Sequence, residues 1–228
     1  MPEQTEHRHI LTFNFRQGRS KPRHEEAMRR LWPRYGVEWK PEDGTLDYST
    51  LFGRTAPVVL EIGSGNGEAA AAMADADRGR DLLAVEVYPQ GVADLMDRAA
   101  KRGLDNVRVY AGDALPLLWH GLADASLDEI RVYFPDPWPK KRHHKRRLIQ
   151  PDHVATMRGL LRPGGRIHCA TDIADYAEQM LEVLTADEAL ENTAAGYAPR
   201  PDHRPVTKFE RRGIEAGRAI FDLVFVKR

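Results

Sequence analysis

Residues 58–68 read VVLEIGSGNGE. Val58, Val59, Leu60 and Ile62 make a nearly continuous apolar run, the pattern of a strand buried on both faces rather than on one. The run leads directly into Gly63, Gly65 and Gly67. Glycine is needed where a chain turns sharply from strand to helix and where backbone must approach a ligand too closely for a Cβ. The spacing is G-x-G-x-G. A dinucleotide fingerprint would require Gly or Ala at 68, where Glu68 stands, so a nicotinamide cofactor is a minority reading.

Working outward, apolar runs alternate with helical stretches: 81–87 (DLLAVEV), 106–113 (NVRVYAGD), 129–134 (EIRVYF) and 166–172 (RIHCATD), with a helix from about 151 to 161 closed by RPGG. This alternation predicts an α/β, doubly wound, mostly parallel sheet with helices on both faces. The segment 219–227 (AIFDLVFVK) has no helix after it and can join the sheet only as a last, antiparallel strand. Residues 1–50 show little strand character and many arginines, and are expected to form a basic, partly mobile extension to a domain spanning 51–228.

The 34 basic and 34 acidic residues cancel, which argues against a nonspecific nucleic-acid or membrane-surface binder. Their distribution is uneven. Segments 1–35, 140–162 and 199–228 carry net +4, +7 and +4, and the remainder is acidic, as expected if three basic segments converge on one polyanion. Cys169 stands alone in an apolar setting and excludes an intrachain disulfide, and the polar N-terminus has no apolar core of a leader. A cytoplasmic protein without a membrane partner is expected.

Three acids stand at consecutive strand ends, where open α/β sheets bind ligands. Glu61 is costly to bury unless a cation or hydrogen-bond donors meet it, loop amides being one option. Glu86 could accept two hydrogen bonds from a ribose diol, and Asp113 could accept from an adenine amino group. The pattern is similar to class I S-adenosylmethionine-dependent methyltransferases, which implies a Rossmann-like, seven-stranded sheet with an antiparallel last strand. After the fourth strand, Pro135, Pro137 and Pro139 fix three φ angles and hold Asp136 and Trp138 on a stiff loop. An acid there can grip the polar edge of a base while the indole stacks on it. Six Lys or Arg follow within 140–147, suited to neutralising phosphates, and the adjacent His143 and His144, with no Cys nearby, give no metal-site pattern.

Together, RQGR, WPRYGVE, EIGSGNGE, AVEVY, GDA, YFPDPWPKKRHHKRRL, LRPGG, ATD and TKFERRG resemble the bacterial tRNA (guanine-N7-)-methyltransferases over most of the chain. The resemblance implies S-adenosylmethionine as cofactor and tRNA as partner, with methylation of the guanosine at position 46 in the variable loop. It implies that Glu61, Gly63, Gly65, Glu86, Asp113 and Asp136 meet the methyl donor, Asp136 being also catalytic. Lys140, Asp172, Thr207, Lys208, Phe209 and Glu210 would contact the substrate, and Arg142, His143, His144, Lys145, Arg146 and Arg147 the RNA. Two other readings remain open: an amino-methyltransferase, because PDPW is reminiscent of the D/N-P-P-Y/F/W loop, and an RNA-binding module without chemistry.

Overall fold

The run at 58–62 becomes the strand around which the rest is arranged. The structure, a computed structural model, describes residues 9–14 and 21–228. In chain order it contains α1 (Pro22–Tyr35), β1 (Gly36–Val37), α2 (Tyr48–Phe52), β2 (Val58–Ile62), α3 (Glu68–Ala76), β3 (Asp81–Glu86), α4 (Pro89–Lys101), β4 (Val107–Ala111) and α5 (Ala114–Pro116). There follow β5 (Leu127–Tyr133), α6 (Pro151–Leu160), β6 (Leu161–Thr171), α7 (Ala174–Ala186), β7 (Leu190–Asn192), α8 (Lys208–Glu215) and β8 (Phe221–Lys227).

The strands form one sheet in the order β1-β4-β3-β2-β5-β6-β8-β7. Only β8 runs against its neighbours, pairing antiparallel with β6 and β7. The expected seven strands are thus joined by an eighth, the two-residue β1, which pairs parallel with β4 through Gly36 and Val109. Alternation along each strand splits the core in two. Val59, Leu82, Ala84, Val107 and Val109 pack under α1, α3 and α4. Leu60, Leu83, Ile130, Val132 and Ile167 pack under α5, α6 and α7. The parallel strands deliver the carboxyl ends of β2, β3, β4 and β5 to one edge, which is where the candidate acids lie.

The stretch read from the sequence as an extension contributes ordered elements from Pro22 onward. His24, Ala27, Leu31 and Tyr35 recur at helical spacing on the buried face of α1, which lies against α4. The exposed arginines and Pro33 in the last turns hide this pattern. Those arginines also correct the expected convergence of charge: Arg23 and Arg30 face Asp94 and Asp97 on α4, and Arg34 pairs with Asp105. The described helical part of the first basic segment is therefore largely neutralised on the sheet's flank. The RQGR motif, residues 16–19, lies outside the described residues.

Candidate active site

The glycine turn has the backbone its residues require. Gly63, Gly65 and Gly67 have φ of 78°, 58° and 70°, in the left-handed region that costs a side-chain-bearing residue about 1 kcal/mol or more. A Cβ on Gly91 of α4 would lie 2.3 Å from the Gly65 carbonyl oxygen, so helix and turn touch backbone to backbone. Glu86, ending β3, ties the same turn together: its Oε2 accepts from the Gly65 amide at 2.7 Å and its Oε1 from the Tyr88 amide at 2.8 Å. Burial raises its pKa against the pull of those amides, and the nearby Asp136 charge raises it further.

Glu61 is 3% exposed, and its Oε2 has no hydrogen-bond partner. Burial, reinforced by Glu129 and opposed by Arg131, pushes its carboxyl up to about 7. The option that loop amides satisfy both oxygens is not realised. A buried carboxylate oxygen left open beside a glycine cradle suits a cationic ligand group.

Glu61, Glu86, Tyr133, Phe134, Thr207 and Phe209 line a cavity of about 300 Å³. An adjoining cavity of about 210 Å³ is lined by Gly63, Gly65, Glu86, Asp113, Asp136 and, again, Phe209. Three predicted strand-end acids and the loop aspartate therefore share one continuous site. Asp113 caps α5, accepting from the Leu115 amide at 3.1 Å. Its other oxygen lies 2.6 Å from His9 Nε2.

His9 belongs to a segment that the sequence reading did not connect with the site. The Asn14 amide donates to Asp136 Oδ2 at 2.8 Å, the Trp138 indole donates to the Thr12 carbonyl at 2.9 Å, and the Tyr88 hydroxyl donates to the Asn14 carbonyl. Thr12 and Phe13 line the smaller cavity. Nothing in the local sequence signals these contacts, because they span between 74 and 126 residues of chain.

The proline loop is neither helix nor strand, and Phe134 and Trp138, with φ of 51° and 43°, depart from the extended backbone that a following proline favours. The Arg146 guanidinium sits 4.6 Å from the centroid of the Trp138 ring, over one face, and the His143 ring lies perpendicular to it at 5.9 Å. One expectation about the loop's neighbours is corrected. Arg147, expected on the RNA surface, is 1% exposed. It donates to the Pro137 carbonyl at 2.8 Å, to Gln179 at 2.7 Å and to Asp175 at 2.7 Å, and packs over Tyr176. It anchors the loop to α7. Lys140, Lys141, Arg142 and Lys145 remain exposed, with no acidic partner among the described residues. His144 lies 3.8 Å from Asp175, and loss of solvation, followed by the surrounding cations, lowers the His143 pKa.

On the opposite wall, Thr207 caps α8, its hydroxyl accepting from the Glu210 amide at 3.0 Å. Glu210 is also corrected: its carboxylate turns inward to Arg204 and to the Thr207 amide, and is buried rather than presented to a substrate. The T-x-x-E spacing of a capping box was the available signal. Phe209 is 57% exposed and faces both cavities. Asp172 accepts from Arg218 at 2.8 Å beneath Gly213 of α8. The side chain of Lys208 lies outside the described residues.

Glu129, His168 and His203 bring their ligand atoms within 4.8 Å of one another. The group is poorly disposed to a cation. Glu129 is held ionised, near 2, with Arg80 and Arg131 as its partners despite its burial, and both nitrogens of His168 are engaged by Tyr133 and Asp222.

The sheet order, the single reversed strand and the acids at the strand ends define a class I methyltransferase. Solved structures of similar fold include the 16S rRNA methyltransferase KamB, with a TM-score of 0.60 at 16% identity, covering 84% of this chain and 95% of that one. TrmN from Thermus thermophilus is another, with a TM-score of 0.53 at 15% identity, covering 90% of this chain and 48% of that one. A family model described as "Putative methyltransferase" matches residues 55–223. The tRNA (guanine-N(7)-)-methyltransferase of Burkholderia vietnamiensis is 52% identical over 97% of this chain and 86% of its own length. That of Streptomyces avermitilis is 52% identical over 96% of this chain and 75% of its own length. The chain belongs to the tRNA (guanine-N(7)-)-methyltransferase family.

Proposed function

We propose that the protein transfers the methyl group of S-adenosylmethionine to N7 of a guanosine in tRNA, at position 46 of the variable loop, in the cytoplasm. The observation that carries this reading is the meeting of Asp136, Glu86 and Asp113 in one cavity, beside exposed Lys140, Lys141, Arg142 and Lys145 that have no acidic partners among the described residues. No helix among the described residues is long and apolar enough to cross a membrane.

The residues fit the cofactor. The open oxygen of Glu61 suits its ammonium group, the free lone pairs of Glu86 its ribose diol, and Asp113 its adenine amino group, with Gly63 and Gly65 admitting close backbone approach. When bound, S-adenosylmethionine supplies an electrophilic methyl group on a sulfonium sulfur. Guanine N7 already carries an in-plane lone pair, so no proton has to leave before it attacks. The task of the chain is alignment, which can contribute about 7–11 kcal/mol in ideal cases.

Asp136 orients the base and favours the positive charge that develops on the ring, rather than serving as a general base. Lys140, Asp172, Thr207, Lys208 and Phe209 hold the guanosine. Arg142, Lys145 and the flanking His143, His144 and Arg146 border the tRNA backbone.

Asp136→Asn tests this reading. Donor binding by calorimetry should survive while labelled methyl transfer to unmodified tRNA falls by about 100-fold or more. Near-normal turnover would remove Asp136 from the chemistry. Digestion of the product should yield 7-methylguanosine mapping to position 46, and any other methylated nucleoside would refute the assignment.

A further inference from the structure

The walls of the acceptor side are joined by a buried ionic cluster that none of the roles above uses. Arg204 is 0% exposed. Toward α8 its Nη1 donates to Glu210 Oε2 at 2.6 Å and its Nη2 to Oε1 at 3.3 Å. Toward β8 its Nε and Nη2 donate to the two oxygens of Asp222 at 2.9 and 2.7 Å. The guanidinium also lies over the rings of Tyr133 and Phe134, at 5.6 and 5.9 Å from their centroids. Asp222 continues to His168 Nε2 at 2.8 Å, and His168 Nδ1 to the Tyr133 hydroxyl at 2.9 Å. One guanidinium thus touches both the turn carrying Phe209 and the strand end carrying Phe134, and these two phenylalanines border both cavities.

The turn depends on this anchor. Helix α8 is eight residues long, too short to persist without tertiary support. Its apolar side chains Phe209 and Ile214 are 57% and 54% exposed and cannot hold it in place. Its other ties are an exposed pair of Arg211 with Glu68 at 3.4 Å and the packing of Gly213 on Asp172, so Glu210 is its buried side-chain tie, and Glu210 is held by Arg204. A planar fork that serves two carboxylates at once is a geometry lysine cannot reproduce.

We propose that Arg204 is a positioning residue for methyl transfer: by clamping Glu210 to Asp222 over Tyr133 and Phe134, it sets where Thr207 and Phe209 hold the acceptor base. This deepens the transfer reading and rests on it. Misplacement of a reacting group by about 1 Å can cost about 100-fold in rate, whereas the donor carboxylates Glu86 and Asp113 make no contact with this clamp.

The test uses the full chain with Arg204→Lys, which keeps the charge and removes the fork. Donor Kd and KM for tRNA should stay within about threefold of the parent, while the single-turnover transfer rate falls at least about tenfold. Amide exchange at 209–212 should accelerate at least about tenfold with β6 unchanged, since local opening is separable from global unfolding. An unchanged rate would overturn the proposal. So would a rate loss matched by equal losses of donor affinity and of protection throughout the sheet, which is what a merely structural arginine predicts. Should the lysine variant fail to fold, Glu210→Gln, which leaves Arg204 on Asp222, must show the same selective loss, and parental rate and exchange in that variant would overturn it. If the parent protein itself transfers no methyl to tRNA, the transfer reading fails, and the exchange comparison alone decides whether Arg204 fixes the turn.

Discussion

Replacing Glu61 with glutamine should stabilise the donor-free protein while abolishing tight donor binding. The carboxyl is pushed from an ordinary 4.5 to about 7, mainly by burial. At roughly 1.4 kcal/mol per decade, this corresponds to about 3 kcal/mol. Because the folded value lies above the unfolded one, the favourable contribution is complete below pH 4.5 and is lost as pH rises to about 7. Glutamine mimics the protonated form at every pH. The two proteins should therefore be similarly stable near pH 4.5, and the variant should lead by about 3 kcal/mol at pH 8, or about 6–12 °C in Tm for a chain of this size. Urea denaturation followed between about pH 5 and 8 reads the divergence directly. Stability curves that run parallel across this range would refute the reasoning, because they would mean that the carboxyl ionises inside the fold without penalty. Calorimetric titration of the variant with S-adenosylmethionine should show at least about tenfold weaker binding, the usual exchange of function for stability at a strained site.

Three further outcomes are expected. Neutralising Lys141, Arg142 and Lys145 together should weaken tRNA binding and lower the slope of log K against log salt by about 3, measured by filter binding at several salt concentrations. Arg147→Met should leave that slope unchanged but reduce stability by about 1–3 kcal/mol in denaturant titration, because the Pro137 carbonyl and Gln179 lose their donor. Gly91→Ala drives a Cβ to 2.3 Å from the Gly65 oxygen and 3.0 Å from Glu86 Cγ, so donor affinity should fall at least about tenfold, with a stability loss of about 1–3 kcal/mol.

Much of this architecture was legible because strands buried on both faces leave an unbroken apolar signal. The 58–62 strand matches the structure to the residue, and β8 begins two residues inside the expected 219–227. β1 and β7, with two and three residues, are too short to leave a pattern. Glu86, Asp113 and Asp136 could be anticipated because each stands where a strand ends or a loop is fixed by proline, a property of the chain's local direction. Arg147 could not be separated from Arg142 or Arg146, since its burial is decided by Asp175, Tyr176 and Gln179, about thirty residues downstream. Glu210 was half legible: its capping-box spacing was visible, but its partner Arg204 was not, because Arg204 is also held by Asp222, 18 residues further along the chain. The contacts of His9 and Asn14 depend entirely on long-range closure.

The inward turn of Arg147 has a bearing on how this stretch tolerates change. Saturation mutagenesis scored for modified tRNA should split a stretch of uniform appearance into two classes. At 141, 142 and 145 lysine and arginine should interchange with little effect, since a point charge near a phosphate suffices. At 147 only arginine should survive, because three acceptors in different directions demand its flat, many-handed head group. A position indistinguishable by charge would then behave under selection like part of the interior.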